Sequence, residues 1–108
     1  MLVTTTLSID GSRIKEYKGV VRGIVVRAPT ISQGILGGLK SFIGGQIGSY
    51  TEMCETTRQQ AYDKMMEEAQ ALGADAVVGL RYDASDVESR YAATEVLCYG
   101  TAVKLERI

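Results

Sequence analysis

The sequence predicts one α+β domain over residues 1–108, with elements in the order β-β-α-α-β-β. Three observations carry this. Tyr17–Ala28 (YKGVVRGIVVRA) is an unbroken run of β-branched and apolar residues. Residues 49–72 repeat apolar side chains at helical spacing. Residues 74–106 read as two strands around a polar turn, a hairpin that returns the chain to the sheet.

The first strand is expected within residues 2–9, which mix β-branched and apolar types. Asp10-Gly11-Ser12 is a turn signal. In the second strand Val20, Arg22, Ile24 and Val26 share one face, and Val21, Gly23, Val25 and Arg27 the other. Apolar groups on both faces ask for cover on both sides. Pro29, the only proline, stops the strand. Ile31, Ile35, Leu39, Phe42 and Ile43 follow helical spacing, yet half of the twelve glycines fall between residues 30 and 48. Each interior glycine costs a helix about 1 kcal/mol relative to alanine. Residues 31–43 are therefore expected as a short helix that needs packing to form, ended by Gly44-Gly45 and followed by a loop.

Ser49-Tyr50-Thr51-Glu52 fits a capping box, in which two side chains satisfy orphan amides at a helix start. Cys54, Thr57, Ala61, Met65, Ala69 and Leu72 then form one stripe, with Tyr62 and Met66 beside it. Gly73 stands where a left-handed residue would end the helix. Ala74–Tyr82 is the third strand, Asp83–Arg90 the polar turn and Tyr91–Glu106 the fourth strand. Gly100 marks a bend, a bulge or a close backbone approach.

Composition excludes several chemistries. There is no histidine, which removes Ser-His-Asp, Cys-His, His-zinc and HExxH sites together. Gly34–Ser41 (GILGGLKS) resembles a phosphate loop only loosely, because Leu39 stands where Walker A needs glycine before the lysine. No basic leader precedes an apolar run, and residues 31–48 carry too many polar groups to span a membrane. The expected location is the cytoplasm, where Cys54 and Cys98 stay free thiols, although a bridge between them is not excluded by the sequence. With Met53, Met65 and Met66 the two cysteines are the candidate soft-metal ligands. Packing is the plainer role for them: there is no C-x-x-C, and two cysteines supply half of a tetrahedral site. Asp83, Asp86 and Glu88 lie close together without EF-hand spacing, and a solvated loop is the plainer reading.

Charge is divided unevenly. Residues 1–50 hold six Lys/Arg against two Asp/Glu, and residues 51–108 hold six against eleven. The pI near 5.4 argues against a nucleic-acid partner. The split could instead bring one subunit to the opposite half of another. Twelve apolar strand residues, from Val20 to Leu105, exceed what one helix covers, so self-association is expected.

Gly73-Ala74-Asp75-Ala76-Val77-Val78, with Gly44-Gly45, Tyr50, Arg58, Ala61, Ala69 and Tyr99-Gly100-Thr101-Ala102-Val103, resembles the YbjQ family. That family comprises small bacterial and archaeal proteins also labelled heavy-metal-binding domains. The resemblance covers nearly the whole chain and departs from the family pattern at residues 34–39. It implies a two-layer α/β sandwich with an antiparallel sheet, like the dodecin subunit, assembled as a homopentameric ring. It supplies no biochemical activity. The metal label belongs to relatives of C-x-x-C transport domains, and this chain has no C-x-x-C. Dodecins stack flavin on tryptophan; the chain has none, and no cofactor is expected.

Most matching residues have structural reasons. Arg58 and Asp75 stand out as charged groups beside packed elements, with Gly44, Gly45 and Tyr50 as further ligand or interface candidates. Arg58 and Asp75 are expected to pair, within or between subunits. The leading expectation is a non-enzymatic homo-oligomeric binding or scaffold module. The alternatives are a soft-metal protein using Cys54, Cys98 and methionines across subunits, and an enzyme with an interfacial carboxylate–Arg58 site.

Overall fold

The computed structural model describes residues 1–27, 47–88 and 93–108. They form a four-stranded sheet and one helix: β1 (Leu2–Val3), β2 (Ser12–Arg27), α1 (Ile47–Ala71), β3 (Ala76–Glu88) and β4 (Ala93–Arg107). The strand order is β1-β3-β4-β2. The expected helix at 31–43 and the Gly44-Gly45 break lie outside the described residues.

The sheet is mixed, which corrects the antiparallel expectation. β2 and β3 both run antiparallel to β4, but β1 runs parallel to β3, with Leu2 opposite Ala76 and Val3 opposite Val77. β1 is also shorter than the expected strand at residues 2–9. The three threonines after it turn the chain on itself: the Thr4 hydroxyl accepts the Thr6 amide at 3.1 Å, and the Thr6 hydroxyl donates to the Ser8 carbonyl at 2.7 Å. Such local bonds compete with the strand ladder. The segment still follows β3, accepting the amides of Leu80 and Gly79 on the Thr4 and Thr6 carbonyls at 3.0 and 2.8 Å.

The Asp10-Gly11-Ser12 turn forms, and the Ser12 amide donates to the Ile9 carbonyl at 3.2 Å. β2 then begins five residues before the expected Tyr17. Register shifts between Ile14 and Glu16 and between Tyr17 and Gly19 break its side-chain alternation, which hid this stretch in the sequence. From Val20 onward the expected faces hold. β3 runs on through Glu88, so most of the predicted polar turn is strand. Asp83, Ala84, Ser85 and Asp86 pair with Leu97, Val96, Glu95 and Thr94, a non-local contact that a polar sequence does not announce.

The helix is described from Ile47, so Ser49 lies two residues inside it and not at its start. Its far end follows the expectation. Gly73 has φ +72°, its amide donates to the Gln70 carbonyl at 3.0 Å, and the Ala74 amide donates to the Ala69 carbonyl at 3.2 Å. This is a Schellman closure, in which a left-handed residue lets two amides meet the last carbonyls.

α1 packs across β2 and β4 and touches β3 little. Its buried stripe is Thr57, Ala61, Met65 and Ala69; Cys54 and Leu72, at the ends of the expected stripe, are exposed. Beneath it lie Val21, Val77, Val96, Cys98 and Ala102. Gly23 makes the close fit possible. A Cβ there would stand 2.7 Å from the Met65 amide nitrogen and run into the Ala61 carbonyl. Gly100 is likewise a close approach, with Val77 Cγ1 at 2.7 Å from a Cβ placed there. A smaller core of Ala76, Val78 and Val103 is joined by Ile9, Ile14 and Leu105.

The molecule is long. Sixteen residues of β2 reach about 53 Å at about 3.3 Å each, whereas the 25-residue helix spans about 37 Å. The extents are 56 × 25 × 18 Å, and the radius of gyration of 17.5 Å exceeds the ~13 Å of a compact chain this size.

Candidate functional site

Cross-strand register builds one row beneath α1. Gly23 pairs with Cys98, and Cys98 pairs on its other side with Tyr82. Paired residues share a face, so all three look toward the helix. Met65 closes over the row, its Sδ 3.9 Å from Cys98 Sγ. One helical segment nearer the N-terminus, the Arg58 guanidinium lies over the Tyr82 ring at 5.7 Å from its centre. This is cation–π distance.

The electrostatics keep this row inert near neutral pH. Burial pushes the Cys98 thiol up, so the reactive thiolate is suppressed. Burial, helped by Cys98, pushes the Tyr82 phenol up to about 12, against the opposing pull of Arg58. Neither group exchanges a proton near neutrality, which general acid–base work requires. The one fixed charge in the row is Arg58.

Asp75 is elsewhere. It sits between the helix cap and β3, where its Oδ2 accepts the Leu105 amide at 2.8 Å and its Oδ1 meets Lys104 Nζ at 3.1 Å. The Leu105 amide, then the Lys104 hydrogen bond, hold its carboxyl below the ordinary value. Its own amide donates to the Val103 carbonyl at 2.8 Å. Within one chain, then, Asp75 pairs with Lys104 and Arg58 with Tyr82, not with each other. Sequence reasoning missed Lys104 and Tyr82 as partners. Hairpin register, with Ala76 opposite Val103, points to Lys104 for Asp75; the Arg58–Tyr82 contact comes from how the helix lies on the sheet, which sequence spacing does not give.

Cys54 is exposed and Cys98 buried, and both are free. Cys54 stands eleven residues before Met65 on the same helix, about 16 Å along its axis. Cys98 touches Met65, so one chain does not bring the two thiols together. Among the described residues no three His, Cys, Asp or Glu side chains converge on a metal position. The donors of one chain, a thiol beside a thioether, do not fit a closed soft-metal site. Gly44 and Gly45 lie outside the described residues, and Tyr50 stands in the first turn of α1.

The third feature is the face of the sheet away from α1. Val20, Ile24 and Val26 are 68%, 41% and 58% exposed there. Thr101, Leu97 and Glu95 are their neighbours on β4.

The YbjQ family model, described as "Putative heavy-metal-binding", matches residues 1–106. The chain belongs to the YbjQ family. A UPF0145 protein of Legionella pneumophila is 57% identical over 103 residues, covering 95% of this chain and 96% of that one. A UPF0145 protein of Francisella philomiragia is 52% identical over 103 residues, covering 95% and 97%. The YbjQ chain is also similar in fold to a crystal structure from Pediococcus pentosaceus, a protein of unknown function in the DUF74 family. That likeness has a TM-score of 0.67 at 24% identity and covers 98% of each chain. Among the described residues no helix is long and apolar enough to cross a membrane.

Proposed function

We propose that this YbjQ protein is a non-enzymatic subunit of a homo-oligomer, a pentamer, that serves as a binding or scaffold module in the cytoplasm. The observation that carries the reading is the apolar face formed by Val20, Ile24 and Val26. A lone soluble subunit gains nothing from three large aliphatic side chains aligned on one strand, whereas a symmetric assembly buries them. The elongated shape supports it, because strands that outrun their helix leave sheet for a neighbour to cover. The inert row of Cys98, Tyr82 and Arg58 supports the non-enzymatic part. The acidic pI speaks against nucleic acid as the partner.

Native mass spectrometry at micromolar concentration tests the reading. A single species of five subunits is the expected result, and monomer alone would overturn it.

The soft-metal alternative has one observation in its favour, the 3.9 Å approach of Cys98 Sγ to Met65 Sδ. It needs further donors from another subunit. Metal analysis of wild type against Cys54→Ser and Cys98→Ser decides it: metal content unchanged by both substitutions removes the alternative.

A further inference from the structure

Among the described residues the sheet has two open edges, and they carry opposite charge. β2 is an edge strand along its whole length, and its sixteen residues hold five cations, Arg13, Lys15, Lys18, Arg22 and Arg27, against Glu16 alone. On the other side β1 and Thr4–Thr6 follow β3 as far as Leu80. From Arg81 to Glu88 no described strand flanks that side of β3, and this half carries Asp83, Asp86 and Glu88 against Arg81. Arg81 is already engaged within the chain, its Nη1 donating to the carbonyls of Thr5 and Leu80 at 3.1 and 2.8 Å.

Several β2 cations are already engaged within the chain: Arg13 with Glu106, Lys18 with Glu16 and Arg27 with Gln60. Arg22 is exposed and has no hydrogen bond or ion pair among the described residues. Among the described residues Asp83 accepts only the neighbouring Ala84 amide, at 3.1 Å. Register puts both on the face away from α1. Arg22 pairs with Tyr99, which pairs with Arg81; one step along, Ile24 pairs with Leu97, which pairs with Asp83. Arg22 thus marks one edge of that face and Asp83 the other.

These charges select among the ways two copies can meet. A two-fold contact of β2 with β2, or of β3 with β3, sets like charges opposite one another, which destabilises a strand pair. Only β2 against β3 sets opposite charges together. That contact joins two different surfaces, so it repeats from copy to copy, and it closes as a ring when the rotation between copies divides a full turn. β2 and β3 run the same way within a subunit, because both are antiparallel to β4. Rotation about an axis along the strands keeps that direction, so the two edges meet in parallel. The contact also sets β3 of the next subunit beside Val20, Ile24 and Val26, whose outer flanks it covers.

The geometry points to a head-to-tail assembly in which β2 of one copy docks in parallel on the Arg81–Glu88 half of β3 of the next, with Arg22 set against Asp83. This deepens the homo-oligomer reading and rests on it. The test is native mass spectrometry and sedimentation of full-length wild type, Arg22→Glu, Asp83→Arg and the combined Arg22→Glu/Asp83→Arg chain. Each single reversal should weaken assembly at least tenfold, and the combined chain should recover it. Circular dichroism should be unchanged throughout, since both side chains are exposed. An independent check uses Arg22→Cys with Asp83→Cys in a Cys54→Ser background, which air oxidation should convert into a covalent ladder of subunits. If wild type assembles but the single reversals do not shift it, or the combined chain stays dissociated and no ladder forms, this docking is wrong and the homo-oligomer stands. If wild type is monomeric, the homo-oligomer reading falls and takes the docking with it.

Discussion

The two faces of one strand, β2, meet opposite fates. Val21 and Gly23 lie beneath α1 and are buried, whereas Val20, Ile24 and Val26 alternate with them and stay largely in solvent. Both sets read as equally apolar in the sequence. The difference lies in what stands opposite. Toward the helix, Gly23 removes the Cβ that would hold α1 off, and Met65 fills the space over Cys98. Away from the helix no described element covers Val20, Ile24 and Val26. Hydrophobicity therefore sets a demand for cover, while small residues at the contact decide which face this chain covers itself.

The sharpest way to break that comparison is to damage the covered face. Met65→Ala, at a fully buried side chain in the middle of the core, should cost about 2–5 kcal/mol in urea unfolding. Gly23→Ala should cost about 1–3 kcal/mol, because a methyl there meets helix backbone and α1 must move away. A Gly23→Ala chain as stable as wild type would mean the helix sits loosely. Arg58→Ala should lose less, about 0.5–1 kcal/mol for an exposed cation–π contact. It should also raise the Tyr82 titration seen by ultraviolet absorbance beyond its value near 12, since Arg58 is the group pulling it down.

The Asp75 latch gives a pH signature. Its carboxyl is held below 3.8, so its contribution is complete above that value and fades as pH falls through the lower folded value. The thermal midpoint should drop in that acid window, and Asp75→Asn should flatten that part of the profile. Smallest of all should be Ile24→Ser on the uncovered face. In dilute monomer the unfolding free energy should move by no more than about 0.5 kcal/mol, while native mass spectra show weakened assembly. An Ile24→Ser monomer as damaged as Met65→Ala would erase the distinction between the faces.

What was legible in the sequence is what is decided locally. The helix stripe from Thr57 to Ala69 and the Gly73 cap follow from spacing and from one residue's backbone freedom. The faces of β2 from Val20 onward were equally plain. The start of β2 was not, because its register shifts break the alternation that announces a strand. Residues Asp83–Glu88 looked like a turn because their strand depends on β4, not on themselves. Parallel pairing of β1 is a matter of topology that two residues cannot encode. At the candidate site, Arg58 and Asp75 stood out as charges beside packed elements, but Lys104 was set by the hairpin register and Tyr82 by the packing of α1 on the sheet.

The exposure of the far half of β3 has a consequence for amide exchange. Val77 is sealed in the core, whereas Tyr82, only five positions later, is 40% exposed and followed by three exposed residues. In an isolated subunit, deuterium should enter β3 as a gradient, slow at Val77 and fast beyond Tyr82. A neighbouring copy on that edge would flatten the gradient without altering the fold, so the labelling profile of a single strand would count the company the subunit keeps.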